Sequence, residues 1–217
     1  MSNMFQRLAD ALGLGLPPYG MGAVLVLLLY TVQSEIRFGA KARTHAAGTS
    51  DRGSTRAVSL SSAVSIFGFV LAMLVQRSDV PSQPFARLIG SGTMPGMPAV
   101  AWLGVGFGGL GLIIRLWSVL TLRQRYTRTL LVHEGHTVER GGPYRFVRHP
   151  GYLGSLLCLN GIALASGSAP VFAASLAATS AAYAYRVRVE DAMLVAAFGA
   201  SYESYRREVG ALLPFIK

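Results

Sequence analysis

From Ala57 to Val75 the chain runs without a single ionisable side chain. A helix crosses the ~30 Å hydrocarbon layer of a bilayer with about 20 residues, and in lipid only a helix or a closed barrel satisfies every backbone amide. A run of this length and composition therefore restricts this part of the chain to a transmembrane helix. The whole sequence agrees, being 52% hydrophobic and only 14% charged over 217 residues, where an ordinary soluble domain carries roughly 25% charged residues.

Four more apolar segments can be delimited, giving five in all: Pro18 to Ser34, Ala57 to Val75, Met97 to Leu120, Tyr152 to Ser166 and Ala169 to Tyr185. Gly167, Ser168 and Pro170 form a tight turn between the last two, and polar flanks on both sides favour a there-and-back crossing over a re-entrant loop. The expected fold is all-α: a polytopic integral membrane protein with about five transmembrane helices and a C-terminal cytoplasmic amphipathic helix. Residues 1–96 form an N-terminal two-span membrane region and residues 97–217 a membrane-embedded core.

Orientation follows from the basic residues, because short loops rich in Lys and Arg stay in the cytoplasm. Arg37, Lys41, Arg43, Arg52 and Arg56 follow the first span, whereas only Arg77 and Arg87 follow the second. The segment after the third span carries Arg123, Arg125, Arg128, Arg140, Arg145 and Arg148, and the tail carries Arg186, Arg188, Arg206, Arg207 and Lys217. An odd number of spans then places the N-terminus outside and the C-terminus inside, and the brevity of the chain points to a prokaryotic cytoplasmic membrane. The net charge of +10 is explained by such loops and by membrane lipid, without nucleic acid. Cys158 is the only cysteine, so no disulfide or multi-cysteine zinc site is expected, and no metal.

Gly104, Gly106, Gly108, Gly109 and Gly111 superficially resemble a dinucleotide fingerprint, but they lie in an apolar span with no strand before them. Gly104 and Gly108, four residues apart, suit close approach of another helix instead.

The densest chemistry is Gly142-Pro143-Tyr144-Arg145-Phe146-Val147-Arg148-His149-Pro150-Gly151-Tyr152-Leu153-Gly154. Pro150 fits the first turn of a helix, where a missing amide hydrogen costs nothing, so His149 stands at a helix N-terminus with a positive dipole end. Such an end suits a carboxylate, to which Arg145 and Arg148 add forked donors. Further on, Glu190, Leu194, Phe198, Tyr202 and Tyr205 recur every three or four residues, which aligns an acid and aromatic rings along one helix face that Gly199 interrupts.

The pattern Gly-Pro-Tyr-x-x-x-Arg-His-Pro-x-Tyr-x-Gly resembles the signature of the isoprenylcysteine carboxyl methyltransferase and phospholipid methyltransferase superfamily. Arg115-Leu116-Trp117 and Glu134-Gly135-His136-Thr137-Val138 resemble the family's approach to it. The Arg186-x-x-x-Glu190-Asp191-x-x-Leu194 stretch, continuing through Phe198, Gly199, Tyr202 and Tyr205 to Leu213-Pro214, resembles its C-terminal motif. The similarity covers Gly109 to Ile216. One departure is that the family commonly has two glutamates where this chain has Glu190 and then Asp191.

The resemblance implies an S-adenosylmethionine-dependent methyltransferase acting on a lipophilic or prenylated acceptor, most simply the carboxylate of an isoprenylcysteine-like compound. Its cofactor pocket would be cytoplasmic and built from His136, Gly142, Pro143, Tyr144, Arg148, His149, Tyr152, Leu153, Glu190, Asp191 and Tyr202. Methyl transfer from a sulfonium needs alignment and exclusion of water rather than a metal. A carboxylate acceptor is already ionised at neutral pH, so it needs only a cation such as Arg186 to position it. Two roles are open to Glu190, in catalysis or as acceptor of cofactor hydrogen bonds. A phospholipid amine is the alternative acceptor. A non-catalytic transporter or assembly protein is disfavoured by the few ionisable residues inside the spans.

Blander readings accompany these. His149-Pro150 alone is a helix start, Tyr144 and Tyr152 suit an interfacial belt, Arg145 suits lipid phosphates and Arg115 suits snorkelling to the headgroups. Arg186 and Glu190, four residues apart, would as a surface pair contribute only ~0.5 kcal/mol.

Overall fold

How these helices meet is decided by residues with almost no side chain. In the computed structural model, which describes residues 18–35, 52–77, 99–122 and 138–214, helices α1 (Pro18–Glu35), α2 (Ser54–Arg77), α3 (Ala99–Leu122), α4 (Pro150–Ala165), α5 (Ala169–Phe198) and α6 (Ala200–Glu208) follow in order. A 3₁₀ turn over Gly142–Arg145 precedes α4. The expected first four segments correspond to α1 to α4 within a few residues, and no strand occurs among the described residues.

The α3–α4 pair is the tightest. A Cβ added at Gly104 would lie 2.5 Å from the Ala165 nitrogen, one at Gly111 2.5 Å from the Gly154 oxygen, and one at Gly161 2.5 Å from the Gly108 nitrogen. Backbone therefore packs on backbone, as expected for glycines spaced along an apolar helix. Gly161→Leu is expected to cost at least about 1–3 kcal/mol through overpacking, read as a lower melting temperature in detergent. Gly106 meets nothing within 4 Å, so Gly106→Leu is the control, expected within about 0.5 kcal/mol.

An apolar cluster that includes Val26, Phe69, Leu112, Leu159 and Tyr183 joins the helices, and polar side chains add hydrogen bonds among α2, α4 and α5. Ser65 on α2 and Ser175 on α5 share a 2.7 Å hydroxyl hydrogen bond, Ser175 donates to Asn160 on α4 at 3.1 Å, and Asn160 donates to Thr179 at 3.0 Å. Arg115 is turned inward rather than toward the headgroups. It donates to Ser155 at 2.7 Å and its guanidinium lies over the Tyr30 ring.

Outward-facing side chains such as Leu28, Phe67, Phe107, Ile113 and Leu120 are apolar, whereas Ser61, Ser65, Ser118, Ser155 and Ser175 are buried. That distribution is the reverse of a soluble bundle and suits hydrocarbon around the helices. By length and composition Ser54–Val75 and Ala99–Leu122 can each cross a membrane, and Gly22–Gln33 and Pro150–Ala165 are shorter apolar helices.

The structure differs from expectation at the C-terminus. The fifth apolar segment and the following amphipathic stretch are not separate elements, because α5 continues unbroken for 30 residues, about 45 Å at 1.5 Å per residue. It stops at Gly199, whose positive φ of 53° a glycine adopts without steric cost. The remaining nine residues form α6. The turn before α5 is as expected, with Gly167 at φ 69° and Pro170 in the first helical turn.

Candidate active site

The motif before α4 is fixed locally before it meets anything else. The Pro143 carbonyl accepts from the Phe146 and Val147 amides, and His149 occupies the N-cap of α4 with Pro150 in the first turn. The segment then pairs with the end of the chain. The Arg148 amide donates to the Gly210 carbonyl at 2.8 Å and the His149 amide to Ala211 at 3.0 Å, forming a short parallel bridge between Val147 and Gly210. Tyr205 on α6 donates to the Tyr144 carbonyl at 2.5 Å.

Asp191 is the hub. Only 5% exposed, it accepts from Arg148 Nη2 at 3.0 Å, His149 Nε2 at 2.9 Å and the Tyr202 hydroxyl at 2.5 Å. Burial by itself raises the Asp191 pKa. The hydrogen bond and charge of His149, the Tyr202 hydroxyl and the Arg148 guanidinium outweigh it and hold the carboxyl well below the usual range. The Tyr202 phenol is pushed up by burial and then by the Asp191 charge, so it stays a donor. Burial likewise raises Tyr205. Arg148 also donates through Nη1 to the carbonyls of Arg206 and Val209. Its Nε is buried without a hydrogen-bond partner.

Beside this hub lies a second, less enclosed group. The Tyr152 hydroxyl donates to Glu190 and accepts from Arg186 Nε at 3.0 Å. His149 stacks on Tyr152 with ring planes 6° apart, and its Nδ1 is 3.8 Å from Glu190. Arg186, 4% exposed, donates from Nη1 to Ser54 Oγ and Thr55 Oγ1, both at 2.8 Å. The Glu190 side chain retains 22% exposure, so it is the carboxylate of the pair with surface to offer.

Of the residues singled out from sequence, Tyr144, Arg148, His149, Tyr152, Arg186, Glu190, Asp191 and Tyr202 converge here. Gly142 and Pro143 shape the approach: Gly142 has φ 54°, and a Cβ on it would lie 2.7 Å from Thr121 Oγ1. Leu153 is half-buried on α4, and His136 lies outside the described residues. The expected face running from Glu190 through Leu194 and Phe198 to the tyrosines is not formed as such: Tyr202 meets Asp191 rather than Glu190, eleven residues back and so about three helical turns away. Tyr144 and Tyr152 face inward rather than forming a belt. Arg145 is exposed and its guanidinium lies over Phe146. Arg186 and Glu190 are linked through Tyr152, not as an isolated surface pair. Ser54, Thr55 and the Val209–Ala211 strip went unpredicted; a Ser-Thr pair at a helix start is too common a signal to single out.

Residues 99–201, a little under half of the chain, match the family described as phospholipid methyltransferase. Among curated proteins the chain is 29% identical over 120 residues to a probable protein-S-isoprenylcysteine O-methyltransferase of Oryza sativa subsp. indica, covering 54% of this chain and 63% of that one. It is 29% identical over 117 residues to the protein-S-isoprenylcysteine O-methyltransferase of Schizosaccharomyces pombe, covering 52% and 48%. The cobalt-zinc-cadmium resistance protein CzcN of Cupriavidus metallidurans is 30% identical over 129 residues, covering 59% and 54%. The chain thus spans about half to three-fifths of the length of these relatives, and its C-terminal half is similar to the isoprenylcysteine carboxyl methyltransferase and phospholipid methyltransferase superfamily.

Proposed function

We propose that this chain, similar through its C-terminal half to that superfamily, is an S-adenosylmethionine-dependent carboxyl O-methyltransferase whose acceptor is a lipophilic, isoprenylcysteine-like carboxylate. It crosses the membrane five times, with the N-terminus outside and the site at the cytoplasmic ends of α3, α4 and α5. The observation that carries the reading is the convergence at Tyr152, where the motif preceding α4 meets Glu190 and Arg186 of α5 in one polar cluster.

The residues present suit the cofactor. Arg148 Nε is a buried donor lacking an acceptor, as a cofactor carboxylate would supply, and Glu190 and the Tyr152 ring offer negative potential to a sulfonium. When bound, S-adenosylmethionine supplies the electrophilic methyl group. Arg148, His149, Tyr152 and Glu190 would hold it, with Tyr144, Asp191 and Tyr202 fixing those residues in place. The remaining work falls to positioning. Arg186 orients the acceptor carboxylate and offsets the cost of stripping its water. Tyr152, donating to Glu190 and accepting from Arg186, keeps the anionic and cationic sides in register. No proton has to be removed, since the attacking oxygen is already ionised.

Incubating the purified protein in detergent with methyl-labelled cofactor and either acceptor tests the reading. Label is expected on the prenylcysteine carboxylate, and label solely on a phospholipid amine would overturn it. Glu190→Gln and His149→Ala are each expected to weaken cofactor binding or turnover at least about tenfold, ~1.4 kcal/mol. Unchanged calorimetric binding of S-adenosylhomocysteine together with unchanged kinetics would remove those assignments.

A further inference from the structure

Three residues of α5, spaced three and four apart, hold one side chain of α4. Tyr183, Arg186 and Glu190 share a face of the helix. Arg186 Nε donates to the Tyr152 hydroxyl, and that hydroxyl donates to Glu190. The Tyr183 ring lies tilted against the Tyr152 ring, with centroids 5.5 Å apart. Of the three, only Tyr183 stands outside the proposed reaction.

Tyr183 is 2% exposed, and what surrounds it comes from three other helices. Its hydroxyl lies among Tyr30 of α1, Ser155 of α4 and Arg115 of α3, and Arg115 in turn donates to Ser155 and covers the Tyr30 ring. The Tyr183 ring therefore has a fixed seat. Glu190 is less constrained. Its Oε2 takes both contacts of the carboxylate, to the Tyr152 hydroxyl and to the more distant His149 Nδ1, while Oε1 accepts no hydrogen bond among the described residues. A carboxylate held by one oxygen can swing about that bond, so the direction in which its other oxygen faces follows the position of the Tyr152 hydroxyl.

We infer that Tyr183 is a positioning residue for the cofactor: by seating the Tyr152 ring it fixes where the hydroxyl draws Glu190 Oε2, and so where Oε1 is offered to a donor or cation of the bound molecule. The inference rests on the proposed part of Glu190 in holding the cofactor. It also gives α1 a share in the site, since Tyr30 lies outside the matched residues 99–201 and acts on Tyr152 through Tyr183.

The test is a double-mutant cycle on the full chain in lipid nanodiscs, read by calorimetric binding of S-adenosylhomocysteine. Tyr183→Met, which fills the volume without a ring, is expected to weaken binding about fivefold, within the range that an aromatic pair contributes. In a Glu190→Ala background the same substitution should change affinity by less than about twofold, because the group it aims is gone. Damage to the fold alone would act in both backgrounds. Tyr183→Phe keeps the ring and should bind within about twofold of the wild type. Tyr30→Leu removes part of the Tyr183 seat and should show the same dependence on Glu190 at about threefold, which carries the test if the methionine variant does not fold. Equal weakening in both backgrounds overturns the inference. So does wild-type affinity in the variants that lack the ring or its seat, or a phenylalanine variant as weak as the methionine one. A wild-type chain that binds no S-adenosylhomocysteine strikes the functional reading itself, and a Glu190→Ala protein that binds as the wild type does strikes the part assigned to Glu190; either removes the inference with it.

Discussion

Asp191→Asn is expected to destabilise the protein by about 3 kcal/mol, because it leaves a buried guanidinium without its counter-charge while the partners stay in place. Arg148 and Asp191 are both more than nine-tenths buried as side chains and 3.0 Å apart, so neither can turn to solvent for compensation. The acid limb of stability should change as well. The folded-state pKa of Asp191 lies below its unfolded value, so its contribution is complete above the unfolded value of about 3.9 and disappears as pH falls from there toward the depressed folded value. In the asparagine variant this part of the acid transition should be missing. Thermal unfolding in detergent between neutral pH and pH 3 measures both effects. Equal stability of the two proteins at neutral pH would remove Asp191 as the hub.

Arg186→Met is expected to lower kcat/KM for a carboxylate acceptor about 100-fold, ~2.7 kcal/mol, the scale on which preorganised donors act in water-excluded sites. Binding of S-adenosylhomocysteine should change little. Arg186→Lys should recover only part of the loss, because an ammonium cannot donate to Tyr152, Ser54 and Thr55 at once and still face a ligand. A methionine variant with normal acceptor kinetics would take Arg186 out of the reaction.

Much of this arrangement is legible in the residues themselves. Long uncharged runs specify helices because lipid allows the backbone few other forms, and the Gly104–Gly108 spacing foretells a close helix contact because it puts two residues without side chains on one face. Pro150 fixes where α4 starts, and with it the placement of His149. What periodicity misjudges is the side that faces inward at the C-terminus. Counting in fours from Glu190 drifts by about 40° at each step of a 3.6-residue helix, so after three steps Tyr202 has left the Glu190 face and falls on that of Asp191, about three whole turns before it. The partners of Arg186 are hidden for a different reason. Ser54 and Thr55 are brought to it across more than a hundred residues by α2 packing on α5, a juxtaposition that leaves no local pattern.

The pairing of Val147–His149 with Gly210–Ala211 has a consequence for how the protein is made. The amides of Arg148 and His149 have no secondary-structure partner until the segment beyond α6 arrives, some sixty residues later in translation. While the ribosome is still adding α5, the helix bundle can already be inserted with its central motif unfinished. A chain truncated before Gly210 should therefore keep its helices while the Arg148 and His149 amides lack these partners, which faster hydrogen exchange at both amides would report.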